Sequence, residues 1–203
     1  MILSVIEIAL LIMLPLVLIY QRSSWTYKDY VPSIVIIYLI WYLSYALFHE
    51  LMHLLRAWIF DKTIFEIQLI PKFWKAEFGT GYINYDYQSD PKDFIIVLLP
   101  YARDIILLAI GYFVIIKMEL KKPFILGLSV VILILSPLYD IGNNYSAYLL
   151  GSMNDFNALG ESSSKLITHS IGISFFMIAT LITLLIIKKL KDYPSKKIRI
   201  GIL

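Results

Sequence analysis

Apolar residues fall in five long blocks along this chain, at 2–20, 32–59, 94–116, 123–150 and 167–187, with short polar stretches between them. Each block approaches or exceeds the roughly 20 apolar residues that a helix needs to cross a bilayer. The pattern therefore predicts an all-α integral membrane protein with about five transmembrane helices. The second and fourth blocks are long enough to tilt or to project beyond the hydrocarbon. The first lacks a basic start and a small-residue cleavage site, so it reads as a retained anchor and not as a signal peptide. No repeat, low-complexity tract or separate soluble domain interrupts the pattern, so residues 1–203 form a single membrane domain.

The loop at 61–93 breaks the helical pattern. It mixes Ile64, Phe65, Ile67 and Leu69 with Phe73, Trp74 and Phe78, and then runs Gly79-Thr80-Gly81-Tyr82-Ile83-Asn84-Tyr85-Asp86-Tyr87. Alternating aromatic and polar positions bounded by glycines predict short strands, a β-like hairpin between spans two and three. Two roles fit such a loop. Its tyrosines and tryptophan suit a membrane interface, and its strand edge suits pairing with an extended substrate segment.

Composition sharpens the membrane reading. Of 203 residues, 59% are hydrophobic and only 16% are charged, and the mean hydropathy is +0.75. The formal charge of +3 is small. Its placement matters more, because the tail at 188–203 holds Lys188, Lys189, Lys191, Lys196, Lys197 and Arg199. A basic tail beside an apolar span marks the cytoplasmic side and needs no nucleic-acid partner. An odd number of spans then sets the N-terminus and the 61–93 loop outside, in a multi-pass protein of the cell membrane. The chain has no cysteine, which excludes disulfides, thiolate metal sites and cysteine nucleophiles.

The chemistry concentrates in the second block, at His49-Glu50-Leu51-Met52-His53. Residues i and i+4 share a helix face, so His49 and His53 can aim ring nitrogens at one metal ion. Glu50 sits about 100° round the helix, placed to act as a general base without being a ligand. This is the H-E-x-x-H zinc-hydrolase pattern, and ionisable groups inside a membrane span point to function.

Zinc needs a third protein ligand and one open position. His49 lies 17 residues past Pro32, and Asp140 lies 17 past Pro123. If both prolines mark helix starts, each residue sits about 25 Å along its helix, at matching depth. Asp140 is therefore the preferred third ligand. It lies in Ser136-Pro137-Leu138-Tyr139-Asp140-Ile141-Gly142-Asn143-Asn144, a polar stretch with a proline that frees backbone groups in mid-span. Asp155 is the less favoured alternative. On an unbroken helix it would lie about 48 Å past Pro123, outside a core of about 30 Å, unless the chain folds back at Gly151. His169, near the start of the fifth block, is better placed for an interhelical hydrogen bond than for ligation. Arg56 is expected to pair with Asp104 or to contact a substrate carbonyl, and Arg103 and Asp104 form a polar cluster near Pro100. Glu7 reads as a buried, hydrogen-bonded group.

With His49-Glu50-Leu51-Met52-His53 in an early span, a strand-like loop, and Asp140 followed by Asn154-Asp155-Phe156, the chain resembles the site-2 protease group of intramembrane zinc metalloproteases, peptidase family M50, in its M50B-type branch. The resemblance covers about residues 43–155. Asp140 is followed by Ile141-Gly142 where the familiar branch has Leu-Asp-Gly. The resemblance implies Zn2+ held by His49, His53 and Asp140, with Glu50 as base, and a membrane protein or peptide as substrate. A prenyl-protease type of enzyme would take a late-helix glutamate as ligand, and no later apolar block offers one. The remaining alternative is an inactive or non-proteolytic metal-binding membrane protein, such as a chaperone, a transporter part or an immunity protein.

Overall fold

The computed structural model describes residues 13–21, 25–70, 72, 75, 81–118, 120 and 122–192. Four helices within them are long and apolar enough to cross a membrane. They are α1 (Tyr27–Ile59), α2 (Pro91–Lys117), α3 (Pro123–Leu149) and α5 (Lys165–Asp192), joined by a two-stranded sheet and a short helix α4 (Asp155–Ser162). Of the first expected span, residues 13–21 are helical; residues 2–12, with Glu7, lie outside the described residues, as do residues 193–203 of the basic tail.

The helix starts follow local capping chemistry. Asp90 caps α2 by accepting from the Asp93 backbone N–H at 2.8 Å, and Asp93 Oδ2 accepts in return from the Asp90 N–H at 3.2 Å. Pro91 then occupies the first turn, where its missing N–H has no intrahelical partner to lose. Pro123 opens α3 in the same way. Pro32 does not mark a start: α1 begins five residues earlier, after Thr26, whose N–H and hydroxyl both donate to the Asp29 carboxylate.

Pro137 does not break α3. It cannot donate to the carbonyl four residues back, and the helix widens just ahead of it into a π turn over Val131–Leu135. Gly111 of α2 sits against that turn so closely that a Cβ there would stand 2.8 Å from Leu133 Cβ and 3.0 Å from Leu133 O. α2 is the central helix and packs against α1, α3, α4 and α5. The core between the helices is built from Leu16, Ile37, Leu108, Val131, Ile134 and Phe156 among others.

The expected strands are present. β1 (Ile64–Gln68) and β2 (Tyr82–Tyr85) pair antiparallel in the register Ile67↔Ile83 and Gln68↔Tyr82, with an irregularity between Ile64 and Glu66. Phe73, Trp74 and Phe78 lie outside the described residues. At the root of this hairpin Lys62 Nζ sits 3.1 Å from Asp90 Oδ2 and 3.0 Å from Asp93 Oδ1, tying it to the start of α2. Burial pulls the Lys62 ammonium down, but the two carboxylates outweigh it and hold the group above its ordinary value. Asp90, bonded by the Asp93 backbone N–H and then by Lys62, is held below the usual carboxylate range.

α4 is the element that the hydrophobic pattern did not predict. α3 closes with Gly151 in the left-handed region at φ 79°, Gly151 N–H donating to Tyr148 O and Ser152 N–H to Ala147 O. That is the Schellman arrangement, and it reverses the chain. Asn154 then caps α4, its side chain accepting from Phe156 N–H at 3.0 Å and donating to Asn144 O at 2.7 Å. Phe156 and Leu159 bury the helix against the bundle.

Candidate metal centre

His49, Glu50 and His53 are all buried on α1, 7%, 8% and 6% exposed. The i, i+4 spacing does what the pattern implied: the two histidine Nε2 atoms stand 3.2 Å apart. The third converging atom is Asp155 Oδ2, 3.1 Å from His49 Nε2 and 3.3 Å from His53 Nε2.

This reverses the order of the two aspartates. Asp140 also reaches His49, but at the other ring nitrogen: His49 Nδ1 donates to Asp140 Oδ2 at 2.7 Å. Asp140 thus lies beside His49 but on the side facing away from the convergence point, and the depth match that favoured it rested on Pro32 as a helix start, which it is not. Asp155 reaches the two Nε2 atoms because the Gly151 turn folds α4 back, which the unbroken-helix distance did not include.

The other atoms of the triad are tied down as well. His53 Nδ1 lies 3.0 Å from Ile96 O, and Tyr101 donates its hydroxyl to Asp155 Oδ2 at 2.9 Å. Asp140 accepts from Tyr45 at 3.0 Å, from Asn144 Nδ2 at 2.8 Å and from Arg103 at 3.3 Å. Arg103 also holds Asp104, so the polar cluster near Pro100 exists and braces Asp140. Arg56 lies over the Phe60 ring, 5.8 Å from its centroid, while Asp104 takes Arg103 as its partner. His169 is outside the site, its Nδ1 3.2 Å from the Tyr145 hydroxyl.

The donor set fits a metal ion. With both Nδ1 hydrogens committed elsewhere, two imidazole lone pairs and a carboxylate oxygen face one another, an arrangement that a cation stabilises. Two ligand atoms each about 2.0–2.1 Å from a tetrahedral zinc stand about 3.3 Å apart. The observed separations of 3.1, 3.2 and 3.3 Å match that edge. His49, His53 and Asp155 are accordingly a group able to hold a metal ion, two histidines and a carboxylate.

Glu50 faces a cavity of about 350 Å³ next to the triad, lined also by Tyr82, Ile83 and Tyr85 of β2 and by Asn143 and Asn154. Burial pushes the Tyr85 hydroxyl up from its ordinary value, so it stays a neutral donor. Gly81 brings the hairpin close: a Cβ there would stand 2.6 Å from Gln68 O and 2.8 Å from Glu50 Cγ. Only a residue without a side chain allows β2 to sit directly over the glutamate.

Tyr101, Gly81 and the Ile96 carbonyl are site features that the motif could not supply. Two had local signals: Gly81 in a glycine-rich strand boundary, and Pro100 four residues after Ile96. Comparison with family models, with curated proteins and with solved structures finds no match to this chain.

Proposed function

We propose that this chain is an intramembrane zinc-dependent peptidase of the site-2 protease type, cutting extended segments of membrane proteins or peptides. The observation that carries the reading is the convergence of His49 Nε2, His53 Nε2 and Asp155 Oδ2 within 3.1–3.3 Å beside the buried Glu50. Membrane embedding is supported by the four apolar helices and by their outward faces, where Phe113 is 61% exposed and Leu181 59%. Side chains of that kind are at home in lipid.

Each residue then has a task. The two histidines and Asp155 hold the metal, and Asp140 and the Ile96 carbonyl orient the rings. Zinc at such a site supplies Lewis acidity, polarising a carbonyl and acidifying water to a pKa near 7. Glu50 accepts the proton of the attacking water and delivers it to the leaving amide nitrogen. Asn143 and Asn144 both line the cavity, and the Asn144 amide is committed to Asp140.

The hairpin gives the substrate a place. One edge of β2 pairs with β1, and side chains of β2 line the cavity. An extended segment added at the other edge would run past Glu50, and a helical substrate must unwind to be cut, since its carbonyls are otherwise hydrogen-bonded.

The test is metal content and cleavage of a model transmembrane substrate by purified protein, wild type beside Glu50→Gln. Both are expected to carry equimolar zinc, with the variant at least about 100-fold slower. Full activity in the variant would remove Glu50 from the reaction. Zinc without cleavage in the wild type would make the chain a non-proteolytic metal-binding membrane protein, and no zinc in either would overturn the reading.

A further inference from the structure

Ile96 sits in the second turn of α2, and its carbonyl oxygen would ordinarily accept the N–H of the residue four positions on. That residue is Pro100, which has no N–H and lies inside the helix. A proline ring in a helix interior also crowds the carbonyl four residues back. The acceptor so released does not go unused. His53 Nδ1 approaches it to 3.0 Å in a buried contact.

We propose that Pro100 is a positioning residue of the metal site: by withholding a backbone hydrogen from Ile96 O, it reserves that carbonyl for His53 and fixes the ring in the tautomer that ligates through Nε2. A carbonyl oxygen only accepts, so the hydrogen must be on Nδ1 and the lone pair on Nε2. Nε2 is the atom aimed at His49 Nε2 and Asp155 Oδ2, at 3.2 and 3.3 Å. The neighbouring histidine is set by different means, a carboxylate from α3 on His49 Nδ1. The two rings thus depend on two separate elements, and losing either acceptor lets a ring turn or exchange tautomer. Outer-shell partners of this kind are worth about 10- to 100-fold in metal affinity. This rests on the proposed metal site but not on proteolysis.

Pro100→Ala separates positioning from a merely structural proline. Alanine is a far better helix former than proline in a helix interior. A structural role alone leaves metal affinity unchanged, whatever the variant does to stability. A positioning role predicts that the restored N–H competes for Ile96 O, so that zinc affinity falls about 10- to 100-fold and the His53 ring nitrogen shifts change. An α-hydroxy acid built in at position 100 has neither ring nor N–H, and it should return affinity close to wild type. The readout is zinc competition titration together with ¹⁵N spectra of labelled histidine, simple to assign with three histidines in the chain.

In zinc-loaded wild type, both His49 and His53 are expected to show a protonated Nδ1 and a ligating Nε2. Ligation of His53 through Nδ1 overturns the proposal outright, even if no variant folds. Unchanged affinity and unchanged His53 shifts in Pro100→Ala overturn it as well. A wild type that binds no zinc instead overturns the metal site itself, a result that the other two outcomes cannot mimic.

Discussion

Two aspartates approach the same imidazole from opposite sides, and their roles differ because a histidine ring has two chemically distinct nitrogens. Asp155 meets Nε2, where a metal would sit, and Asp140 meets Nδ1, where a hydrogen must sit. Replacing the first removes a ligand, whereas replacing the second removes an orienting partner. Asp155→Asn is therefore expected to lower zinc affinity more than Asp140→Asn, whose loss should stay within about 10- to 100-fold. Competition titration of the two proteins with a zinc chelator orders them, and the reverse order would exchange the assignments. The motif residues His49, Glu50 and His53 were legible from spacing alone, since 3.6 residues per turn fixes their shared face. The third converging residue, Asp155, was not, because its reach depends on a chain reversal, and linear distance along a helix carries no information past the residue where the helix ends.

Among the elements, the four long helices were readable as apolar blocks, with ends displaced by a few residues through capping. Asp90 with Asp93 moved the start of α2 to Pro91, and Thr26 with Asp29 moved that of α1 to Tyr27. α4 escaped notice because eight residues are too few for a periodic signal, although Gly151 marks the stop of α3 before it and Asn154 its own start. The π turn before Pro137 was likewise hidden: a proline announces a lost hydrogen bond, not the way in which the helix absorbs it. Gly111 lets α2 pack directly against that turn of α3. A larger residue meets backbone as well as side chains there, so Gly111→Val should destabilise the bundle by about 1–3 kcal/mol. Thermal denaturation in detergent reads the loss, and a melting point equal to wild type would show that the two helices can separate without cost.

At the scale of the molecule, apolar residues cover the outside as well as fill the core. Polar and charged groups such as Asp93, Asp104 and Asp140 lie fully or almost fully buried, while Leu39, Phe113, Leu181 and Leu184 face outward. An exterior of this kind is stable in lipid and aggregates in water. The protein is expected to stay in the membrane fraction through an alkaline carbonate wash and to leave it only with detergent; recovery in the soluble fraction would refute membrane embedding. The converging atoms also come from two widely separated parts of the chain, Asp155 lying 106 positions after His49. During synthesis the His-Glu-x-x-His helix therefore emerges, and can enter the bilayer, long before its carboxylate partner exists. Under the proposed reading, an unfinished or truncated chain is incapable of cutting its neighbours. Proteolytic competence arrives only when the Gly151 reversal has brought the last ligand home, so the layout of the fold acts as its own safety catch.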